Sequence, residues 1–244
     1  MEPTTTGLAL LIIAGIANAS FALPMKFTRK WAWENTWLVF SILALIILPV
    51  ITTIATVPAL GSVYHEAGAK IVTEVALFGA GWGVAQVLFG LAIDAIGIAL
   101  AFSIVLGLSA ALGSLIPLIW LHPEKVFAPA GFAVIAGVIL VIAGVSVCAI
   151  AGRKRERLQT TAAAQTSNSS FGRGLALALV SGICAALMNF GIAFGGPLIS
   201  AAARYGSSPE WTINAVWLPL MMAGAVPNLL YCVYLIRRKR SSTR

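Results

Sequence analysis

The sequence predicts an all-α protein, a polytopic bundle of transmembrane helices. Two observations carry that prediction. The residues are 59% hydrophobic and only 10% charged, which leaves too little polar surface for a water-soluble domain to cover itself. The apolar residues also gather into seven stretches of about twenty residues, the length a helix needs to cross a hydrocarbon core roughly 30 Å thick. A third observation, the placement of the basic residues, orients the bundle. Thirteen of the sixteen follow the first span, lie between the fifth and sixth, or follow the seventh. Only Lys70, Lys125 and Arg204 fall in the alternate gaps, so the positive-inside bias places the N-terminus outside and the C-terminus in the cytoplasm.

The spans lie at about 7 to 25, 35 to 57, 73 to 93, 98 to 121, 130 to 151, 174 to 195 and 212 to 236. The first ends near Ala17-Asn18-Ala19, a small-residue pattern that would suit a signal peptidase. No basic region precedes it, however, and Lys26, Arg29 and Lys30 beyond it resist translocation, so it is expected to remain as a span. The segment Lys26 to Glu34 joins spans one and two. Spans three and four are joined by Asp94-Ala95-Ile96-Gly97 and must form an antiparallel hairpin. The polar run from Arg153 to Gly172 lacks apolar periodicity over residues 159 to 170 and reads as a flexible cytoplasmic linker.

This linker separates five spans from two, and the segments on either side begin alike. Ala14-Gly15-Ile16-Ala17-Asn18-Ala19 in span one parallels Ser181-Gly182-Ile183-Cys184-Ala185-Ala186 in span six, with Glu34 and Glu210 ahead of the spans that follow. Repeating a unit with an odd number of spans inverts it, the construction used by many secondary transporters. The expected organisation is therefore a five-span repeat over 1–152, a linker over 153–173, and the first two spans of a second, incomplete repeat over 174–244 with a basic tail.

The net charge of +8 does not indicate nucleic-acid binding, because the basic residues flank spans in short clusters. Cys148, Cys184 and Cys232 each lie within a span without ligand-like spacing and read as packing residues. No phosphate-cradling loop, zinc helix or nucleophile elbow is present, so neither an enzyme nor a cofactor is expected. Gly79 and Gly83, then Gly191 and Gly195, are spaced four apart, the pattern of closely packed membrane helices. Pro24, Pro49, Pro117, Pro219 and Pro227 within or near spans would free backbone carbonyls, as both polar cavities and inert membrane helices do.

Polar side chains inside spans are costly and mark candidates for a transport path. The set is Asn18, Gln86, Asn189, Asn214 and Asn228. Asn18, Gln86 and Asn189 lie well inside their spans, where they would serve either a polar solute's hydroxyls or an interhelical hydrogen bond. Trp82 is one helical turn from Gln86 on the same face, and an indole beside an amide suits a sugar ring, although packing or lipid contact would also use it. Asn18, Trp82, Gln86 and Asn189 are the substrate-binding candidates. Trp31, Trp33, Trp37 and Trp120 sit at span ends, where tryptophan anchors at the interface. No acid lies mid-span. Glu34 and Asp94 are the candidates for proton coupling, against simpler roles in ion pairing or helix-end chemistry for Glu34 and in turn and cap chemistry for Asp94.

The segment Ser20-Phe21-Ala22-Leu23-Pro24-Met25-Lys26, through Trp31-Ala32-Trp33-Glu34-Asn35-Thr36-Trp37 to Ile47-Leu48-Pro49, resembles the opening of the L-rhamnose/proton symporter family. Phe78-Gly79-Ala80-Gly81-Trp82-Gly83, Phe89-Gly90-Leu91, Gly97, Gly107, Gly113 and Pro117 extend the resemblance over spans one to four, and Met188-Asn189-Phe190 carries it more weakly toward span seven. The resemblance implies a carrier of the drug/metabolite transporter superfamily, multi-pass in the bacterial inner membrane, importing a 6-deoxyhexose with a proton. The family has ten spans in two inverted halves, and this sequence has no counterpart of the last three. It would then be an incomplete carrier, a piece completed by another chain, or a short variant working as a homo-oligomer. Sugar, protons and the lipid bilayer are the expected partners. Two alternatives stand beside this reading, an inactive membrane fragment and a seven-helix receptor. The receptor is opposed by the reversed order of Pro227-Asn228 and by a seventh span with no lysine for retinal.

Overall fold

The computed structural model describes residues 3–20, 31–160 and 168–239. The last five residues of the expected first span (21–25), the basic cluster Lys26, Arg29 and Lys30, the middle of the linker and the tail from Arg240 onward lie outside those residues, as do the side chains of Asn18, Arg153, Arg155 and Arg157. The elements are α1 (Pro3–Ser20), α2 (Trp33–Ile42), a π-helical turn (Leu43–Ile47), α3 (Leu48–Thr56), α4 (Leu60–Ala67), α5 (Ala69–Ile96), α6 (Ile98–Leu121), a 3₁₀ turn (Pro123–Lys125), α7 (Pro129–Thr160), α8 (Asn168–Ala185), α9 (Leu187–Phe194), α10 (Gly196–Arg204) and α11 (Asn214–Lys239).

Six helical segments among the described residues are long and apolar enough to cross a membrane: 33–56, 69–96, 100–121, 129–148, 171–204 and 214–239. The sequence predicts seven; the described part of the first is the shorter apolar stretch Thr5–Ala17 within α1. The helices flanking the linker also extend into it, α7 to Thr160 and α8 from Asn168.

Backbone chemistry explains the irregularities. Pro49 has no N–H for the carbonyl of Leu45 and its ring crowds that carbonyl. The helix widens just before it, with the Leu48 N–H bonded to the Leu43 carbonyl five residues back. Asp94 proves to lie in the last turn of α5 and not in the hairpin turn itself. The reversal is made at Gly97, whose φ of 82° a residue with a Cβ adopts only with strain.

The contacts sort the helix ends into two sets. At one end Glu34 of α2 meets Lys239 of α11, and Gly174 of α8 packs against Ala95 and Ile96 of α5. At the other end, Thr53 donates to the Asn214 carbonyl at 3.0 Å, Asn214 Nδ2 donates to Thr56 Oγ1 at 2.8 Å, and Arg204 pairs with Glu66. The first end carries Trp33, Gly97, Arg173 and Lys239, and the second carries Lys70, Lys125 and Arg204, matching the charge asymmetry read from the sequence.

Two cores follow the same division. Val57, Val63, Val75, Leu198, Ala201, Ala202, Ala215, Val216 and Leu220 form the one toward the α3/α10 end. Ala85, Phe89, Ala92, Leu100, Ala101, Ile104, Val105, Ala178 and Ala185 form the other. Helix α5 contributes to both. Its Gly79 and Gly83 face the backbone of Leu220 and Gly224 in α11 so closely that an added Cβ would overlap carbonyl oxygens. Small residues here permit direct backbone contact between helices.

Pro219 within α11 leaves the Ala215 carbonyl without its usual helical donor. The Tyr64 hydroxyl of α4 donates to that carbonyl at 3.2 Å, and burial holds the phenol above its ordinary pKa. Tyr64→Phe is expected to lower stability by about 1–2 kcal/mol by orphaning that acceptor, read as a lower melting temperature of the purified protein. An unchanged melting curve would contradict the assignment.

Candidate transport site

The central feature is the discontinuous sixth span. Helix α8 ends at Ala185, α9 is a short piece, and α10 begins at Gly196. The Ala186 N–H is shared between the carbonyls of Gly182 and Ile183, and the Gly195 N–H between those of Gly191 and Ile192. The second break has a direct cause in Gly195-Gly196-Pro197, since Pro197 lacks the N–H that would continue the ladder. The first follows the Ser181-Gly182 pair, a common origin of helix kinks. Ala178 and Ala185 of α8 belong to one core, whereas Leu198, Ala201 and Ala202 of α10 belong to the other. Helix α9 therefore lies between the two cores, which the continuous α5 also joins.

Asn189 lies on α9. Its side chain is seated over Gly113 of α6, and its Nδ2 donates to the Ser109 carbonyl at 3.4 Å. Pro117 four residues on removes the helical donor to the Gly113 carbonyl. Trp82 and Gln86 share one face of α5 and are both half-buried. The Trp82 ring rests against Gly224, whose missing side chain makes room for it. Neither side chain makes a hydrogen bond among the described residues, leaving an indole N–H and an amide available. Gly81 packs on Leu187 of α9, which puts Trp82 and Asn189 at similar depth on neighbouring helices. No hydrogen bond joins Asn189 to the Trp82/Gln86 pair among the described residues, and the Asn18 side chain lies outside them.

The remaining asparagines are structural ties. Asn228 is 1% exposed; its Nδ2 donates to the carbonyls of Gly83 and Gly224, and its Oδ1 accepts the Trp37 indole N–H at 2.9 Å. Asn214 joins α11 to Thr56. Trp37 corrects the interfacial expectation: it is 7% exposed, stacked on Trp33, and belongs to the interior. Trp33 in turn lies against Gly90. Trp31 and Trp120 are exposed at span ends, as interface anchors are.

The two acids differ sharply. Asp94 is exposed. Glu34 is 1% exposed, alone among the acids described in being buried, and its Oε2 accepts from Lys239 Nζ at 3.3 Å. Sequence reasoning noticed Glu34 at a span edge but missed both its burial and a partner 205 residues away.

The breaks, the close glycine contacts and the buried polar ties define a polytopic helical membrane protein with one discontinuous span. The chain matches the model of the L-rhamnose-proton symport protein family (RhaT) over residues 2–242, and it belongs to that family. It is similar to the L-rhamnose-proton symporter of Mannheimia succiniciproducens, 30% identical over 223 residues that cover 91% of this chain and 64% of that protein. The L-rhamnose-proton symporter of Cronobacter sakazakii is 30% identical over 230 residues, 93% of this chain and 66% of that protein. That of Escherichia coli strain ATCC 8739 is 29% identical over the same number of residues. The chain thus spans just under two thirds of the length of these relatives. No solved structure matches it significantly. The family is one of symport proteins, not enzymes or receptors.

Proposed function

We propose that this chain is a proton-coupled carrier of L-rhamnose or a closely related 6-deoxyhexose in the bacterial inner membrane. The observation that carries the reading is the match to a symport family over residues 2–242. Glu34 supplies the proton site, because a carboxylate buried at a helix start is the kind of group whose charge state depends on its surroundings. Trp82 and Gln86 supply an apolar ring face beside free hydrogen-bonding groups, which matches a pyranose, and Asn189 borders the same depth from the broken span. Asn18 of span one is a further substrate-contact candidate, and the exposed Asp94 is the weaker proton candidate. The N-terminus lies outside and the C-terminus in the cytoplasm, with residues 1–152 as one repeat and 174–244 as the start of its inverted partner. Flexing of the broken sixth span at α9 would alternate access to the site.

Uptake of labelled L-rhamnose by cells lacking their own carrier and expressing this chain tests the proposal. Uncoupler-sensitive uptake is expected. Absence of uptake from well-inserted protein would contradict it. Gln86→Ala is expected to raise the half-saturation concentration about three- to tenfold, the effect of one lost hydrogen bond. An unaltered value would remove Gln86 from the site.

A further inference from the structure

We propose that Glu34 and Lys239 form a charge latch that holds the start of α2 against the end of α11 and opens when Glu34 takes up a proton. The inference rests on the reading of Glu34 as the proton site and adds to it a partner and a consequence. Glu34 is buried while Lys239 remains 54% exposed, so the pair is asymmetric. A buried carboxylate needs its cation; the lysine, at a helix end beside solvent, can swing back into water at little cost. Once protonated, Glu34 no longer holds Lys239, and the contact between these helix ends loses its ionic tie.

The surroundings fit a movable end on a fixed pivot. One turn on along α2 and about three turns back along α11, Trp37 and Asn228 join the same two helices through a buried bond. Farther along the Glu34–Trp37 face of α2 lies Ser41, completely buried, whose hydroxyl has no hydrogen-bond partner among the described residues. Such a group is ready for a water molecule when the seam opens. The other groups around the latch are few. On α11, Cys232 lies within reach of the Glu34 charge, and Tyr231 lies within reach of Lys239. Arg238 is turned to the Tyr234 hydroxyl. Helix α2 has no further titratable side chain, and the nearby acid of α5, Asp94, is exposed. Glu34 and Lys239 are thus the ion pair that the described residues place at this seam.

Cys232, fully buried two turns inward from Lys239, is a built-in reporter. In full-length protein carrying Cys148→Ser and Cys184→Ser, its reaction with a small charged methanethiosulfonate reagent would be followed in inside-out vesicles without sugar. At about pH 8, where a free carboxyl is ionised, Lys239→Met and Glu34→Gln should label about tenfold faster than the parent, while Lys239→Arg should stay near it. On acidification the parent-to-Lys239→Met rate ratio should approach one, the parent losing its ionic tie as the variant already has. Equal melting temperatures would establish that the variants are folded. Lys239→Met labelling no faster than the parent, Lys239→Arg labelling as fast as Lys239→Met, or a ratio independent of pH would overturn the latch. Labelling needs no sugar, so failure of the transport reading leaves this result interpretable, and a failed latch leaves transport standing.

Discussion

Glu34→Gln is expected to abolish proton-driven accumulation while leaving passive equilibration of the sugar. The glutamine keeps the shape and hydrogen-bonding capacity of the side chain but cannot exchange a proton. One pH unit of gradient is worth about 1.36 kcal/mol, enough for about tenfold accumulation of a solute carried with one proton. The variant should therefore fall from at least that ratio to about one, and an uncoupler should no longer change its uptake. Asp94→Asn, at an exposed position in the last turn of α5, should retain accumulation. Retained accumulation in Glu34→Gln together with loss in Asp94→Asn would reverse the assignment.

The second large effect is structural. Gly83 of α5 faces the backbone of Gly224 in α11, and a Cβ there would overlap the Gly224 carbonyl oxygen. Backbone cannot move aside as a flexible side chain can, so Gly83→Leu must push the two helices apart. The displacement would break the Asn228 bond to the Gly83 carbonyl and loosen the Trp37 contact. A loss of about 3 kcal/mol or more is expected from overpacking and the freed polar groups together, read as aggregation on size-exclusion chromatography or a large fall in melting temperature. Gly137→Leu in α7 is the control, because an added Cβ there meets nothing within 4 Å. Equal behaviour of the two variants would refute the close α5–α11 contact.

The architecture was largely legible because each span is a local property. Hydrophobic length located the helices of spans two to seven within about four residues, except that span six runs on to Arg204, past its expected end at 195, and the Gly79/Gly83 spacing marked a packing face before its partner was known. What escaped was whatever depends on a distant segment. Trp37 sits two residues inside the expected start of a span, where position alone suggests an interface anchor, yet Asn228 draws its indole into the interior. Glu34 looked like helix-end chemistry because its cation comes from the other end of the chain. Gly195-Gly196-Pro197 carries a break signal within an apolar run, whereas the break at Ala186 has only the Ser181-Gly182 pair before it and is located by the backbone bonds. The candidate site was legible in part. Trp82 and Gln86 share a face by spacing alone, whereas the seat of Asn189 on Gly113 requires α6 and α9 to be neighbours.

The most direct test is a proton signal evoked by sugar in proteoliposomes containing only this chain and a pH-sensitive dye. Addition of L-rhamnose without any imposed gradient should drive protons inward with the sugar, acidifying the lumen, and Glu34→Gln should abolish the signal. Entry of labelled sugar with no movement of protons would contradict the account.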